Sequence, residues 1–401
     1  VIRFFSLFLI YVITIATFQA CTEIKSEPKA VLPEPEKWVM DDSTALFLDK
    51  FSADFEEGLK NQRIPGGAGV IVKEGRVIFQ QGFGVKESGK TEQVDEHTVF
   101  RLGSVSKGFA SVLAGVFVDE GLVNWDNAVS DYLEDFKLHD PEQTDRVQVK
   151  HILSHTSGLP RHAYTNLVED GLSLDRIIPR LERVPLIAKE GEQLAYQNAA
   201  YSVIEKVLEA QTELDFDSLL QQKLFEPLGM INSSANYDSI RYSENKAYPH
   251  VWYSRAKGRV PVKISKKYYN AISSGGINAS ASDMGQWLRL LTGYYPEIIS
   301  EKTLNEIFEP IATINNKRFS RYWDGVNKSH YGMGWRILDN EGQKIVYHGG
   351  YVNGYRSEIA FDPDNGIGIC VLINANSSYP LQVIPGLFEH FRSDSTELIY
   401  E

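Results

Sequence analysis

From Thr44 onward, apolar residues recur at helical spacing (Leu46, Phe47, Phe51, Phe55, Leu59), which predicts an amphipathic helix. Two short apolar runs follow, Val70-Ile-Val and Val77-Ile-Phe, and the turn-like Lys73-Glu-Gly-Arg76 between them predicts a β-hairpin. Between about residues 100 and 292 the period is helical, most clearly over 110–120, 194–208, 219–228 and 284–291. Strand patterns return only near the C-terminus, over 344–347, 355–361 and 368–373, before a last helix around 387–391. Pairing of the late strands with the early hairpin would build one part from both chain ends. The expected fold class is therefore α+β, an antiparallel sheet flanked by helices, with 42–100 and 293–401 as its α/β part and 101–292 as a mainly helical insertion. No repeat of 20–50 residues is visible.

The N-terminus has its own pattern. Arg3 precedes a largely apolar run over residues 4–18, 15 residues long. As a helix this run would span about 22 Å of a hydrocarbon core about 30 Å thick, so it reads as a signal-peptide core rather than a spanning helix. It ends at Phe18-Gln19-Ala20-Cys21, which resembles a bacterial lipoprotein processing box with a small residue before the cysteine. Residues 1–20 are thus expected to be removed and Cys21 to carry a lipid anchor in a bacterial membrane, with cleavage to a soluble exported protein as the alternative. Residues 21–41 hold Pro28, Pro33 and Pro35 among charges and read as a tether.

Composition narrows the function. The 401 residues are 43% hydrophobic and 23% charged, as in ordinary globular proteins, which excludes disordered and coiled-coil readings. The net charge of −12, with no basic stripe, argues against nucleic acid as a partner. Two cysteines are too few for a disulfide scaffold or a four-cysteine zinc site, and Cys370, within Gly366-Ile-Gly-Ile-Cys-Val-Leu-Ile-Asn374, reads as a buried thiol in a core strand. His151 and His155 have the i, i+4 spacing of two zinc ligands, but no carboxylate follows at a useful distance, so a structural pair is expected. No Walker loop, EF-hand, HExxH or Gly-x-Ser-x-Gly elbow occurs, and Gly66-Gly67-Ala68-Gly69 precedes its strand, unlike a dinucleotide fingerprint.

Ser-x-x-Lys remains, in four copies beginning at Ser26, Ser104, Ser243 and Ser254. Three lie in polar, turn-like or tether surroundings. Ser104 follows Gly103 and opens a run in which Val105, Phe109, Val112, Leu113, Val116 and Phe117 make a helix apolar enough to be a domain core. Lys107 then lies one turn away on the same face, and a buried lysine beside a hydroxyl is what an activated serine requires.

The stretch Phe100-Arg-Leu-Gly-Ser-Val-Ser-Lys107 resembles the first motif of the penicillin-recognising serine hydrolases, the superfamily of class C β-lactamases, D-alanyl-D-alanine carboxypeptidases, D-aminopeptidases and related esterases. Four further stretches resemble that group in the same order: His151-Ile-Leu-Ser-His-Thr-Ser-Gly-Leu-Pro160, Leu224-Phe-Glu-Pro-Leu-Gly-Met230, Gly275-Gly-Ile-Asn-Ala-Ser-Ala-Ser-Asp-Met284 and Tyr331-Gly-Met-Gly-Trp335. The resemblance implies a β-lactamase/transpeptidase-like fold, an acyl-enzyme on Ser104, a small-molecule or peptide substrate, and no metal or organic cofactor. Of four Tyr-x-Asn copies, beginning at Tyr164, Tyr196, Tyr268 and Tyr351, only Tyr196-Gln-Asn198 has the family's setting, after Gly191-Glu-Gln-Leu-Ala. Tyr196 would then be a general base and Asn198 a donor to the substrate, although Lys107 remains an equal candidate for the acylation base.

The third motif departs from the usual Lys-Thr-Gly and reads His348-Gly349-Gly350. The resemblance implies that the glycines let substrate approach the strand, that the Tyr351 and Ser104 amides form an oxyanion hole, and that His348 takes over the grip on a substrate carboxylate, weakening as it loses its proton. This favours D-amino-acid peptides or carboxylic esters over efficient β-lactam hydrolysis. The competing class is a non-catalytic binding lipoprotein on a degenerate hydrolase fold.

Overall fold

The computed structural model describes residues 40–314, 321–323 and 325–397. The expected leader, Cys21 and nearly all of the tether lie outside the described residues. The chain divides into a unit ending at Ala45 and a compact unit from Leu46 onward. In the first, the Asp41 carboxylate accepts from the Thr44 amide and hydroxyl at 2.7 and 2.8 Å, at the start of helix α1 (Asp42–Asn61).

The second unit is organised by one eight-stranded antiparallel sheet. Its strands are β1 (Gly66–Lys73), β2 (Arg76–Gly84), β3 (Ala312–Thr313), β4 (Val326–Tyr331), β5 (Arg336–Asn340), β6 (Gln343–Val352), β7 (Tyr355–Asp362) and β8 (Ile367–Ile373), in the order β2-β1-β8-β7-β6-β5-β4-β3. Strand β8, buried at every position, joins the early hairpin to the late strands, with Val70 opposite Cys370. The sheet is thus made from both chain ends, as the pattern predicts. Cys370 is buried, and that burial pushes its thiol well above the usual cysteine range, so it is packing material rather than a nucleophile.

Alternation along the strands sends side chains to two covered faces. On one, Phe51 and Phe55 of α1 meet Phe79 and Phe83 of β2 edge-on, with centroids 5.3 and 5.0 Å apart. On the other lie helix α2 (Ser106–Asp119) and the helical part, including α3 (Val149–Leu153), α4 (Val203–Thr212), α5 (Phe216–Leu220), α6 (Ile272–Gly275) and α7 (Ala281–Leu291). Helix α2 is buried on all sides from Ser106 to Phe117, and Phe109 stacks on Trp287 of α7 at 3.8 Å. An all-round apolar helix can only be a core element, and each of its large side chains contributes roughly 1.5–3 kcal/mol through burial.

Two local expectations change. The helical period over 194–208 yields a helix only from Val203, because tertiary hydrogen bonds take the preceding backbone: Ala195 N–H to the His155 carbonyl at 2.9 Å and His162 N–H to the Tyr196 carbonyl at 2.9 Å. Strands β4 and β5 have no counterpart in the sequence reading, since Val326-Asn-Lys-Ser-His-Tyr331 is mostly polar and does not alternate cleanly.

Candidate active site

Ser104 sits in a single 3₁₀ turn, Gly103–Val105, that delivers the chain from the short strand Phe100–Arg101 into α2. Gly103 has φ +52°, and a Cβ there would come within 2.8 Å of the Tyr351 amide nitrogen. Glycine is needed on both counts, and the approach sets the Ser104 turn directly against the backbone of β6. Gly350 is equally constrained, since a Cβ would fall 1.9 Å from the Leu102 carbonyl oxygen. A Cβ on Gly349 would meet Glu358 and Tyr347. Close protein packing thus demands glycine at both positions of the third motif.

Lys107, one turn into α2, is fully buried. Its ammonium donates to Asn198 Oδ1 at 2.9 Å and to the Ser274 carbonyl of α6 at 3.0 Å, and lies 4.7 Å from the centre of the Tyr196 ring. Asn198 is thus chiefly a lysine ligand, while its Nδ2 donates to the Tyr268 hydroxyl at 3.3 Å. Tyr196 is half-buried, with Lys107 against its ring and both Lys107 and Ser104 acting to lower its phenol. Burial alone would raise this phenol. The charges of Lys107 and Arg336 outweigh it, and the phenol lies below the ordinary tyrosine value. Burial likewise lowers Lys107, and the neighbouring Tyr196 opposes that shift. A cation and a phenolate sharing one buried site stabilise each other.

His348 corrects the sequence reading. Its imidazole is completely buried, and burial together with the Arg336 and Lys107 charges holds it well below the usual histidine range. A neutral ring enclosed in this way cannot supply a titrating grip on a carboxylate, and a lysine in its place would bury a third cation beside Arg336 and Lys107. The Tyr351 side chain is half exposed, and its backbone amide is what faces the Ser104 turn.

The ring nitrogens of His348 instead end a directed chain. His155 Nδ1 accepts from the Gln197 amide at 3.2 Å, so its Nε2 must carry the proton that meets Tyr331 Oη at 3.2 Å. Tyr331 then donates to His348 Nε2 at 3.1 Å, and His348 Nδ1–H donates to the Gly349 carbonyl at 3.0 Å. Protonating His155 at Nδ1 would break the link to the Gln197 amide, and protonating His348 at Nε2 would reverse its link to Tyr331. This chain ties the Tyr196-Gln197 peptide to β6, and the His155 ring packs on Tyr196 with centroids 4.3 Å apart. His151 and His155 do not share a helix face, because α3 ends at Leu153 and His155 has φ +60°.

Two site residues escaped the sequence reading. His155 was read only as half of a structural pair with His151 and as part of a family-like stretch, not as a neighbour of Tyr196. Arg336 directly follows Tyr331-Gly-Met-Gly-Trp335, and its guanidinium lies 5.9 Å from the Tyr196 ring centre and 5.7 Å from that of Tyr331. Among the described residues no three His, Cys, Asp or Glu side chains converge as a metal site.

Comparison with known proteins places the chain in a family. A family described as Beta-lactamase matches residues 51–384. Protein flp of Staphylococcus aureus (strain NCTC 8325 / PS 47) is 24% identical over 84% of this chain and 64% of its own length. Unguisins hydrolase ungD' of Aspergillus campestris is 26% identical over 82% of this chain and 62% of its own length. The chain therefore spans less than two thirds of these curated relatives. Among solved structures, the octameric penicillin-binding protein homologue from Pyrococcus abyssi superposes with a TM-score of 0.72 at 24% identity, covering 84% of this chain and 74% of that one. A protein solved as SurE gives 0.67 at 21% identity over 87% and 75%. Both show the same fold.

Proposed function

Because the chain belongs to the β-lactamase family, whose hydrolases are generally serine hydrolases, we propose that it cleaves amide or ester bonds through an acyl-enzyme on Ser104. The observation that carries this reading is the buried Lys107 ammonium one helical turn from Ser104, held by Asn198 and Ser274 and 4.7 Å from the centre of the Tyr196 ring, where its charge favours the phenolate. The Tyr196 phenolate takes the Ser104 proton as Oγ attacks the substrate carbonyl, and the Ser104 and Tyr351 amides receive the oxyanion. The phenol then returns the proton to the leaving group, and water, activated in the same way, releases the acyl product. Lys107 acts as the ammonium that sustains the phenolate, which favours Tyr196 over Lys107 as the acylation base.

The substrates are D-amino-acid peptides or carboxylic esters, with weak or no β-lactam hydrolysis. The relative named as a hydrolase of unguisins supports hydrolysis rather than mere binding. Labelling with a fluorescent fluorophosphonate followed by peptide mapping should place the adduct on Ser104. An adduct on Ser243 or Ser254, or no adduct, would refute the assignment.

The run over residues 4–18 and Cys21 support export and lipid anchoring. Cys21→Ser should release the mature protein from the membrane fraction, because its acidic net charge, −12 for the whole chain and one unit more negative without Arg3, offers anionic lipid no attraction. Wild-type protein recovered wholly soluble with an unmodified N-terminus would rule out the anchor.

A further inference from the structure

Beneath the acceptors of Lys107 lies a buried carboxyl group that the proposed chemistry does not use. Glu205 of α4 is buried, and its Oε1 receives the Ser273 amide at 2.8 Å and contacts Ser273 Oγ at 2.6 Å. Ser273 Oγ lies 3.0 Å from Ser202 Oγ, Ser202 Oγ lies 2.7 Å from Ser274 Oγ, and Ser274 Oγ lies 2.7 Å from the Asn198 carbonyl oxygen. Four consecutive oxygen–oxygen contacts of 3.0 Å or less each require a proton between them. The three serine hydroxyls supply three, and only the Glu205 carboxyl can supply the fourth.

We propose that Glu205 is a buried carboxylic acid whose proton completes this one-way chain, making it a positioning residue for Lys107. The protons then run from Glu205 to Ser273, Ser202, Ser274 and the Asn198 carbonyl. The far end fixes the two residues that hold the ammonium, since Lys107 donates to Asn198 Oδ1 and to the Ser274 carbonyl. Ionisation of Glu205 removes one proton, leaves one of the four contacts repulsive, and loosens α6 at Ser274.

The surroundings favour the acid form. Burial raises the Glu205 carboxyl to about 7, and the Glu209 carboxylate one turn along α4 adds to the shift, while the Ser273 and Ser202 hydrogen bonds oppose it. No cation closes on it. Lys206 of α4 is taken by Asp175 and Glu209, and Lys107 of α2 by Asn198 and Ser274. From α3, His151 accepts from the Gln148 amide, from α5 Asp217 accepts from Asn236, and α6 presents serines.

The sign follows from linkage. The folded value lies above the unfolded one, so the stability this group contributes is present below about pH 4.5 and is lost as pH rises to about 7. The inference rests on the hydrolase reading only for its kinetic arm. There, wild-type kcat/KM should decline about three- to tenfold as pH rises through the Glu205 ionisation. Glu205→Gln keeps the side-chain shape but cannot ionise and should lose that decline, whereas Glu205→Ala should lower activity at every pH. In the arm that needs no substrate, the melting temperature of wild type relative to Glu205→Gln should fall between pH 5 and pH 8. The infrared band of a protonated carboxyl near neutral pH should be absent in the glutamine variant. Failure of the Ser104 labelling would end the hydrolase reading and leave the stability and infrared arms standing. Parallel melting curves for wild type and Glu205→Gln, with no infrared difference, would overturn the proton assignment. A shared alkaline decline in kcat/KM would overturn the link to Lys107.

Discussion

Lys107→Met is expected to abolish acylation, with kcat/KM falling on the order of 10³- to 10⁵-fold, while the protein stays folded. Two effects act on the chemistry together. The ammonium is a principal reason that the Tyr196 phenol lies below its ordinary value. Without it, only Arg336 and the Ser104 hydroxyl still oppose burial, and the phenolate that takes the Ser104 proton becomes scarce. Stability is pulled both ways. Methionine leaves Asn198 Oδ1 and the Ser274 carbonyl without their donor, at about 1–3 kcal/mol each. It also removes a fully desolvated charge, whose burial was itself unfavourable. The two contributions are of similar size, so the denaturation midpoint should move little. Stopped-flow acylation by a chromogenic ester, read beside a urea melt, separates the outcomes. A variant that keeps more than about a tenth of wild-type acylation would show that the phenol needs no lysine beside it.

How far the sequence reveals this site depends on how local each cause is. Ser104 and Lys107 were legible because a strongly apolar helix announces itself over a dozen consecutive residues, and the structure buries α2 from Ser106 to Phe117. Tyr196 and Asn198 were legible as a motif, but not as a loop. The helical period running through them is overridden by His155 and His162, which bind that backbone from 34 and more residues away in the chain. The role of His348 was misread for the same reason. Residue type suggested a titrating cation, whereas Tyr331, Arg336 and the close packing of Gly349 and Gly350 enclose it as a neutral ring. Arg336 stands on a strand whose sequence gives no clear alternation, so neither the strand nor the cation it delivers could be foreseen. The proton count around Glu205 needs four long-range distances, and no periodicity encodes those.

Tyr196→Phe carries the second large effect and decides which group deprotonates Ser104. The substitution removes one oxygen, keeps the ring that packs against His155, and leaves Lys107 held by Asn198 and Ser274. If the phenolate is the base, kcat/KM should fall by about 10²- to 10⁴-fold. The acid limb of the pH profile should vanish with it, because that limb records ionisation of the phenol. Its sign is fixed by the shift: a phenol lowered below its usual value becomes a competent base as pH rises through that lowered value, so wild-type activity climbs with pH on this limb. If the Lys107 amine were the base, the phenylalanine variant would keep the rising limb at a moderately reduced rate. The double variant Lys107→Met/Tyr196→Phe adds an independent constraint. Lysine and tyrosine serve one proton transfer, so removing both should cost about as much as removing the more damaging one, in the manner of residues that act as a unit. Costs that instead multiply would mean that Lys107 and Tyr196 contribute separately, and that the ammonium assists the substrate rather than the phenolate.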